Sequence, residues 1–360
     1  MKLSSYYKKF GNQVELKIDY DDLDQYDKVF ISKVFMDTEI PFEPADKTLR
    51  KEETIIEFYK DNEMLNLENV YFGGTGFFYD KAPFLPDDIE HMMPDYHLYN
   101  DWVQEQIKSG GKEKDFTYFI NYSIGMTTRG CVNQCSFCVN KNYKKSVLHS
   151  PVNEFLDKSR KYICLLDDNT FACKDWKNVF EQLKDTGKRF QYKQGLDERL
   201  LTEEKIRVLF KESKWIGDYI FAFDNIKDKK LIENNLNLIR DYTNKNVMFY
   251  VFCGFNHSNP DHYDDEFWKQ DIIDTLERIK ILMKYKCLPY IMRYKDYELS
   301  PYRGMYINFA RWCNQPSFFK RKSFREFCIA HGLNSGCYKY MSDFEKLYPE
   351  EAKQYFDLKF

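Results

Sequence analysis

The chain has 360 residues, of which 43% are hydrophobic and 18% aromatic, so it is neither disordered nor collagen-like and is long enough for two domains. Its 54 Lys and Arg against 57 Asp and Glu give a net charge of −3, so any nucleic-acid contact must be regional. The sequence contains neither an apolar run of the ~20 residues that span a membrane nor an apolar secretory signal. We therefore expect a cytoplasmic protein without a membrane partner, whose ten cysteines are thiols or metal ligands.

Residues 1–115 are predicted to form a small Rossmann-like domain. An initial helix, strands at 14–18, 28–34 and 69–72, and a helix at about 52–64 fit the pattern of apolar residues. The glycine-rich stretch Gly73-Gly74-Thr75-Gly76 follows the last of these strands without completing the G-x-G-x-x-G pattern of a phosphate-binding loop. A plain turn is therefore the favoured interpretation.

Residues 116–300 are predicted to form six βα units. Parallel strands joined by right-handed crossovers give either an open sheet or a curled partial barrel, and in both folds ligands bind beyond the carboxyl ends of the strands. Helical faces are predicted at about 152–156, 176–187, 202–210, 232–239 and 272–283. The predicted strands are 116–123, 162–166, 190–193, 219–223, 247–252 and 288–293.

Residues 301–360 are predicted to be a short helical extension, with amphipathic segments at 323–329 and 344–356. Aromatic residues alternate with cations at 318–325. This stretch either contacts nucleic acid or is the solvated basic face of an amphipathic helix. Cys313, Cys328 and Cys337 are too widely spaced to identify a second metal site, and this question stays open.

The segment Cys131-Val132-Asn133-Gln134-Cys135-Ser136-Phe137-Cys138 is the most informative motif in the chain. Three thiolates in one short loop can hold an iron–sulfur cluster and leave its fourth iron without a protein ligand. An open iron can bind a substrate or cofactor through amine and carboxylate groups. The alternative is a zinc site made of the three cysteines and His149.

At these residues the sequence resembles the radical S-adenosylmethionine (SAM) superfamily, whose signature is three cysteines at this spacing with an aromatic residue before the last, here Phe137. The resemblance implies an α/β fold with a partial (βα)6 TIM-like barrel over 116–300, and a [4Fe-4S] cluster held by Cys131, Cys135 and Cys138. It also implies that SAM binds the open iron and is cleaved reductively to a 5′-deoxyadenosyl radical, which abstracts hydrogen from a small-molecule or nucleotide-type substrate. A reductase such as flavodoxin or ferredoxin would supply the electron.

The resemblance also suggests cofactor-binding residues at the strand ends. Asp167 and Asp168 follow the second strand, where the family commonly contacts the methionine amino group of SAM; helix capping is the alternative. Gln194 and Arg199 follow the third strand in a turn that looks like one in radical SAM relatives with a cobalamin-type N-terminal domain. Arg199 could pair with a carboxylate of the ligand or form an ordinary surface salt bridge.

Two further residues are placed by strand position. Asp224 ends the fourth strand and could meet the ribose of SAM. Cys253 ends the fifth and could act catalytically by quenching a substrate radical, although packing is the more common role of a single cysteine.

Residues 1–115 resemble the cobalamin-binding-type domain of one subset of these enzymes, but they lack the Asp-x-His-x-x-Gly motif that ligates cobalamin, so cobalamin is not expected. A cobalamin-dependent radical methyltransferase and a zinc-stapled nucleic-acid-binding module remain the alternative functions.

Overall fold

The computed structural model describes residues 1–35, 38–40, 69–140 and 143–360. These residues form a mixed α/β protein with small parallel sheets and without a closed barrel. The chain divides into two compact units, Met1–Cys164 and Leu165–Phe360. The predicted boundaries after residues 115 and 300 stay predictions, and the predicted helix at 52–64 lies outside the described residues.

The first unit begins with helix α1 (Lys2–Lys9) and contains two parallel strands, β1 (Val29–Ser32) and β2 (Val70–Gly73). The inward side chains of these strands pack with Leu23, Phe77 and Phe78 into a small core. The predicted initial helix and these two strands are therefore confirmed. The predicted strand at 14–18 is wrong: these residues pair with no strand in the described parts of the chain, and Ile18 is 58% exposed, so no apolar face is buried there.

Gly74 shows why the glycine-rich stretch is a turn. Its φ is +100°, and a Cβ there would lie 2.2 Å from the carbonyl oxygen of Lys33. The same oxygen accepts a hydrogen bond of 2.8 Å from the Gly76 amide, at the start of the short helix α2 (Thr75–Phe78). The glycines therefore let two backbone segments approach closely, as the plain-turn interpretation predicts.

The remainder of the first unit consists of short elements. Strand β6 lies beside β3, and β4 pairs antiparallel with β5. In chain order the elements are α3 (Asp87–Glu90), α4 (Asn100–Lys108), α5 (Thr117–Asn121), β3 (Tyr122–Gly125), β4 (Thr128–Arg129), β5 (Val147–Leu148) and β6 (Tyr162–Leu165).

Two predictions for this part of the chain are wrong. The predicted strand at 116–123 is helical up to Asn121, because Phe116 and Phe119 both pack against Trp102 of α4, at ring distances of 5.6 and 5.3 Å, and this spacing of three suits a helix. The predicted helix at 152–156 is only a 3₁₀ turn. The backbone amide and hydroxyl of Ser159 donate to the carboxylate of Asp157, a local turn that competes with a helix.

The second unit repeats strands and helices as predicted. Strand β9 lies between β8 and β10, and both pairings are parallel. The backbone amide of Leu196, beyond β7, donates to the carbonyl of Ile220 in β8 at 2.8 Å. The elements are α6 (Trp176–Asp185), β7 (Arg189–Tyr192), α7 (Glu203–Arg207, extended by a π turn), β8 (Tyr219–Ala222), α8 (Lys229–Tyr242), β9 (Val247–Cys253), α9 (Asp265–Lys284) and β10 (Leu288–Arg293).

The last sixty residues are helical, which confirms the predicted extension. The amphipathic pattern at 344–356 belongs to two helices, because Pro349 cannot continue the first of them. The helices are α10 (Arg303–Cys313), α11 (Pro316–Phe319), α12 (Phe324–Ala330), α13 (Gly336–Leu347) and α14 (Pro349–Tyr355). No described helix combines the length and apolar character needed to cross a membrane.

Candidate functional site

The three clustered cysteines lie in an irregular loop that follows β4, and two backbone positions shape its beginning. Gly130 has a φ of +96°, and a Cβ there would lie 2.1 Å from the carbonyl oxygen of Lys145. Gln134 has a φ of +46°. Its side-chain amide donates to the carbonyls of Cys131, at 3.2 Å, and Tyr143, at 2.5 Å. The loop is therefore tied to the chain that returns toward β5.

Backbone amides approach two of the three sulfurs. The amide of Asn133 donates to Sγ of Cys131 at 3.5 Å, and the amide of Asn140 donates to Sγ of Cys138 at 3.4 Å. Such bonds stabilise negative charge on sulfur, the form of cysteine that binds a metal. All three cysteine residues are partly exposed.

Phe137 is held by its backbone, since the hydroxyl of Tyr79 donates to its carbonyl oxygen at 2.9 Å.

The donor set fits an iron–sulfur cluster: three partly exposed cysteines within eight residues, two of them with amide donors to sulfur. The described residues nevertheless contain no group of three His, Cys, Asp or Glu side chains gathered closely enough to hold a metal ion. The three cysteine sulfurs would therefore move closer together when a metal binds, as is common for metal-binding loops.

A half-buried carboxylate, that of Glu90, anchors the residue that precedes this loop. Glu90 Oε1 accepts from Arg129 at 2.9 Å and from Lys2 at 3.0 Å, and it lies 2.9 Å from Nε2 of His149. Burial by itself would raise the pKa of Glu90, but the His149 hydrogen bond and the charges of Arg129 and Lys2 lower it to about 2. We call these four residues the Glu90 cluster. Because His149 is engaged there, the zinc interpretation that uses it gains no support from the structure.

In the second unit, Asp167 and Asp168 follow β6 as predicted but differ in environment. Asp167 is only 2% exposed, and its carboxylate accepts a hydrogen bond of 2.9 Å from the hydroxyl of Thr170. This contact is between two side chains, so it supports neither the capping interpretation nor the SAM-binding one for Asp167. Asp168 is half-buried.

Arg199 pairs with a carboxylate of its own turn. Its guanidinium donates to both oxygens of Asp197, at 2.8 and 3.1 Å, and lies 3.5 Å from Asp228. The Asp197 hydrogen bond, acting against the effect of burial, raises the pKa of Arg199. Asn169, which follows β6, also donates to Asp197, at 3.2 Å. Gln194 is exposed.

Asp224 belongs to a buried polar cluster at the carboxyl ends of β8 and β9. Arg278 of α9 is 2% exposed and donates to the carbonyls of Phe223, Asp224 and Phe252 at 3.0, 2.8 and 2.7 Å. Burial raises the pKa of Asp224 to about 6, despite the opposing charge of Arg278. Glu198 is also 2% exposed, one of its carboxylate oxygens has no hydrogen-bond partner, and burial raises its pKa well above the usual range.

Cys253 lies on the buried side of β9, in line with Val247, Phe249 and Val251. Its thiol is 1% exposed and donates weakly to the carbonyl of Met292 at 3.6 Å. These contacts favour the packing interpretation.

The aromatic residues of 318–325 are largely buried as well. Phe319 packs against Trp312 with their rings 5.0 Å apart, and Phe318 packs against Phe327 at 5.5 Å. Their rings are thus engaged in the helical core, which favours the amphipathic-helix interpretation.

Sequence reasoning missed Glu90, Glu198 and Arg278. Glu198 stands between Gln194 and Arg199 in the turn that follows β7, and this position is the signal that the sequence offers for it. Arg278 carried a weaker signal: a cation among the apolar residues of α9's buried face. Nothing in the sequence linked Glu90 to its partners, which lie tens of residues away.

No family model matches the chain, and no curated protein matches it in sequence.

Proposed function

We propose that the protein is a radical SAM enzyme. In this proposal Cys131, Cys135 and Cys138 hold a [4Fe-4S] cluster whose fourth iron binds SAM, and residues 116–300 form a partial (βα)6 barrel. The observation that carries the proposal is the spacing of three partly exposed thiols in one irregular loop, two of them with amide donors to sulfur. When bound, the cluster supplies the electron that cleaves SAM to methionine and a 5′-deoxyadenosyl radical.

The chain's own residues would position and screen the reactants. The amides of Asn133 and Asn140 would stabilise charge on the two sulfurs that they approach. The Glu90 cluster would fix the start of the loop through Arg129. Parallel strands carry ligands at their carboxyl ends. Asp168, Arg199 and Asp224 follow β6, β7 and β8 along the chain and would bind the polar groups of SAM.

Arg199 and Asp197 would bind the polar groups of SAM together, as a fixed ion pair. The bidentate pair fixes the guanidinium, while 35% of the Arg199 side chain remains exposed and can meet a ligand carboxylate. Asp224, with a pKa raised to about 6, can exchange a proton near neutral pH and can bond hydroxyl groups in either state.

The experiment is anaerobic reconstitution with iron and sulfide, followed by addition of dithionite and SAM. We expect the wild-type chain to acquire the brown absorption of a [4Fe-4S] cluster and to release 5′-deoxyadenosine. Cys131→Ala, Cys135→Ala and Cys138→Ala should each lose both properties. Cys164→Ala is the matched control, because Cys164 is 2% exposed within β6 and is not part of the loop. A colourless protein that binds zinc would overturn the proposal, as would loop variants that behave like Cys164→Ala.

A further inference from the structure

Residues 79–90 contact the cysteine loop and its two flanks, all within the first unit. We call these residues the brace. Its three contacts are the hydrogen bond from the Tyr79 hydroxyl to the Phe137 carbonyl at 2.9 Å, the edge-on ring pair of Phe84 and Tyr143 at 6.3 Å, and the ion pair of Glu90 and Arg129 at 2.9 Å. One short segment therefore meets the residue before the loop, the loop itself and the chain that returns toward β5.

The brace begins on a packed core. Phe77 and Phe78, which directly precede it, are both buried, and the ring of Phe77 lies 5.2 Å from that of Phe72 in β2. These contacts fix the backbone on which Tyr79 stands, independently of the cysteine loop. The core of β1 and β2 thus provides a rigid support from which the Tyr79 side chain reaches the loop.

The backbone of Tyr79 is strained. Its φ is +52° and its ψ −121°, a combination that glycine adopts readily and that residues with a Cβ rarely adopt. Gly74, five residues earlier, has a φ of +100° at a glycine. A bulky residue persists in such a conformation where the surrounding structure compensates for the strain, which is typical of functional sites. The hydrogen bond to Phe137 is a compensation that glycine could not provide.

The Tyr79 hydroxyl fixes a peptide group directly before a candidate cluster ligand. The carbonyl of Phe137 and the amide of Cys138 belong to one planar peptide. The carbonyl accepts from Tyr79, and the amide donates to the carbonyl of Cys135 at 3.0 Å. Because this peptide is held from both sides, the position from which the Cys138 side chain extends is set before any metal binds.

We propose that Tyr79 is a positioning residue for the cysteine loop, through which the core of β1 and β2 holds Cys138 in place for the metal. The inference rests on the proposed function for the identity of the metal group, a [4Fe-4S] cluster, whereas the positioning itself can be tested without metal. Loss of one hydrogen bond between uncharged groups should loosen the loop about fivefold.

The first test uses the full chain without added iron and measures hydrogen–deuterium exchange of the peptide that covers residues 135–140. Tyr79→Phe removes the hydroxyl and keeps the ring, so exchange of this peptide should rise about fivefold. Tyr26→Phe is the matched control, because the Tyr26 hydroxyl donates to Glu15 at 2.8 Å in the same unit but outside the loop. Its exchange at 135–140 should equal that of wild type, and the two variants should have similar melting temperatures.

The second test measures iron release from the reconstituted chain to a chelator. Tyr79→Phe should take up as much iron and sulfide as wild type but release the iron about fivefold faster, because one ligand is held less firmly. A merely structural role would lower the melting temperature of Tyr79→Phe and change neither the local exchange nor the release rate.

The proposal is overturned if residues 135–140 exchange equally in Tyr79→Phe and Tyr26→Phe, or if both reconstituted variants release iron at the same rate. A wild-type chain that acquires no cluster would instead refute the proposed function, while the exchange measurement still decides the role of Tyr79.

Discussion

Replacement of Glu90 by Gln should weaken the first unit in a pH-dependent way. The Glu90 carboxylate is held by Lys2, Arg129 and His149, and its pKa falls from 4.5 to about 2 on folding. At 1.36 kcal/mol per pKa unit, this difference corresponds to about 3 kcal/mol of stability. Because the folded pKa is the lower one, this stability is fully present above pH 4.5 and disappears as the pH falls toward 2.

The assay is urea unfolding of the wild-type chain and Glu90→Gln at about pH 7, 5 and 3. We expect the variant to lose about 3 kcal/mol at pH 7, and the gap to narrow as the pH falls toward 3. Glu105→Gln is the control, because Glu105 is exposed on α4; its free energy of unfolding should stay within about 0.5 kcal/mol of wild type. Equal stabilities for the two variants, or a gap that does not change with pH, would refute the reasoning.

Three further predictions concern single residues of the fold. Asp224→Asn should raise the free energy of unfolding at pH 7. The pKa of Asp224 is about 6 in the folded chain, above the usual 3.8, so wild-type stability declines as the pH rises through 6. Urea unfolding of both chains at pH 4 and pH 7 checks this. Arg278→Met should cost about 3 kcal/mol in urea unfolding, because it leaves strand-end carbonyls without their donor. Gly74→Ala should lower the free energy of unfolding by about 2 kcal/mol or more, because the new Cβ meets the Lys33 carbonyl at a residue with a positive φ. Gly336→Ala is the control, because a Cβ there meets open space; thermal melts of the two variants should show a loss of stability for Gly74→Ala alone.

The parallel strands of the second unit could be predicted from the sequence almost to the residue. Strand β9 alternates buried and half-buried residues over its whole length, and β10 has the predicted bounds. A buried strand with β-branched and aromatic residues carries this signal by itself. The same residue types misled the prediction at 116–121, where aromatic rings pack against Trp102 of a neighbouring helix.

The candidate site was predictable only where its residues are close in sequence. The three cysteines of the loop span eight positions, so their spacing alone predicts a metal-binding loop. The partners of Glu90, by contrast, come together through tertiary structure alone.

The most direct test of the proposed function asks whether one iron of the cluster binds SAM. The reconstituted, reduced chain is mixed with SAM that carries an isotopic label on its methionine nitrogen, and electron–nuclear double resonance is recorded. The account predicts a coupling between the cluster spin and the labelled nitrogen, which shows that the amine occupies the iron left open by Cys131, Cys135 and Cys138. A well-formed cluster whose spectrum does not change with the label would contradict it.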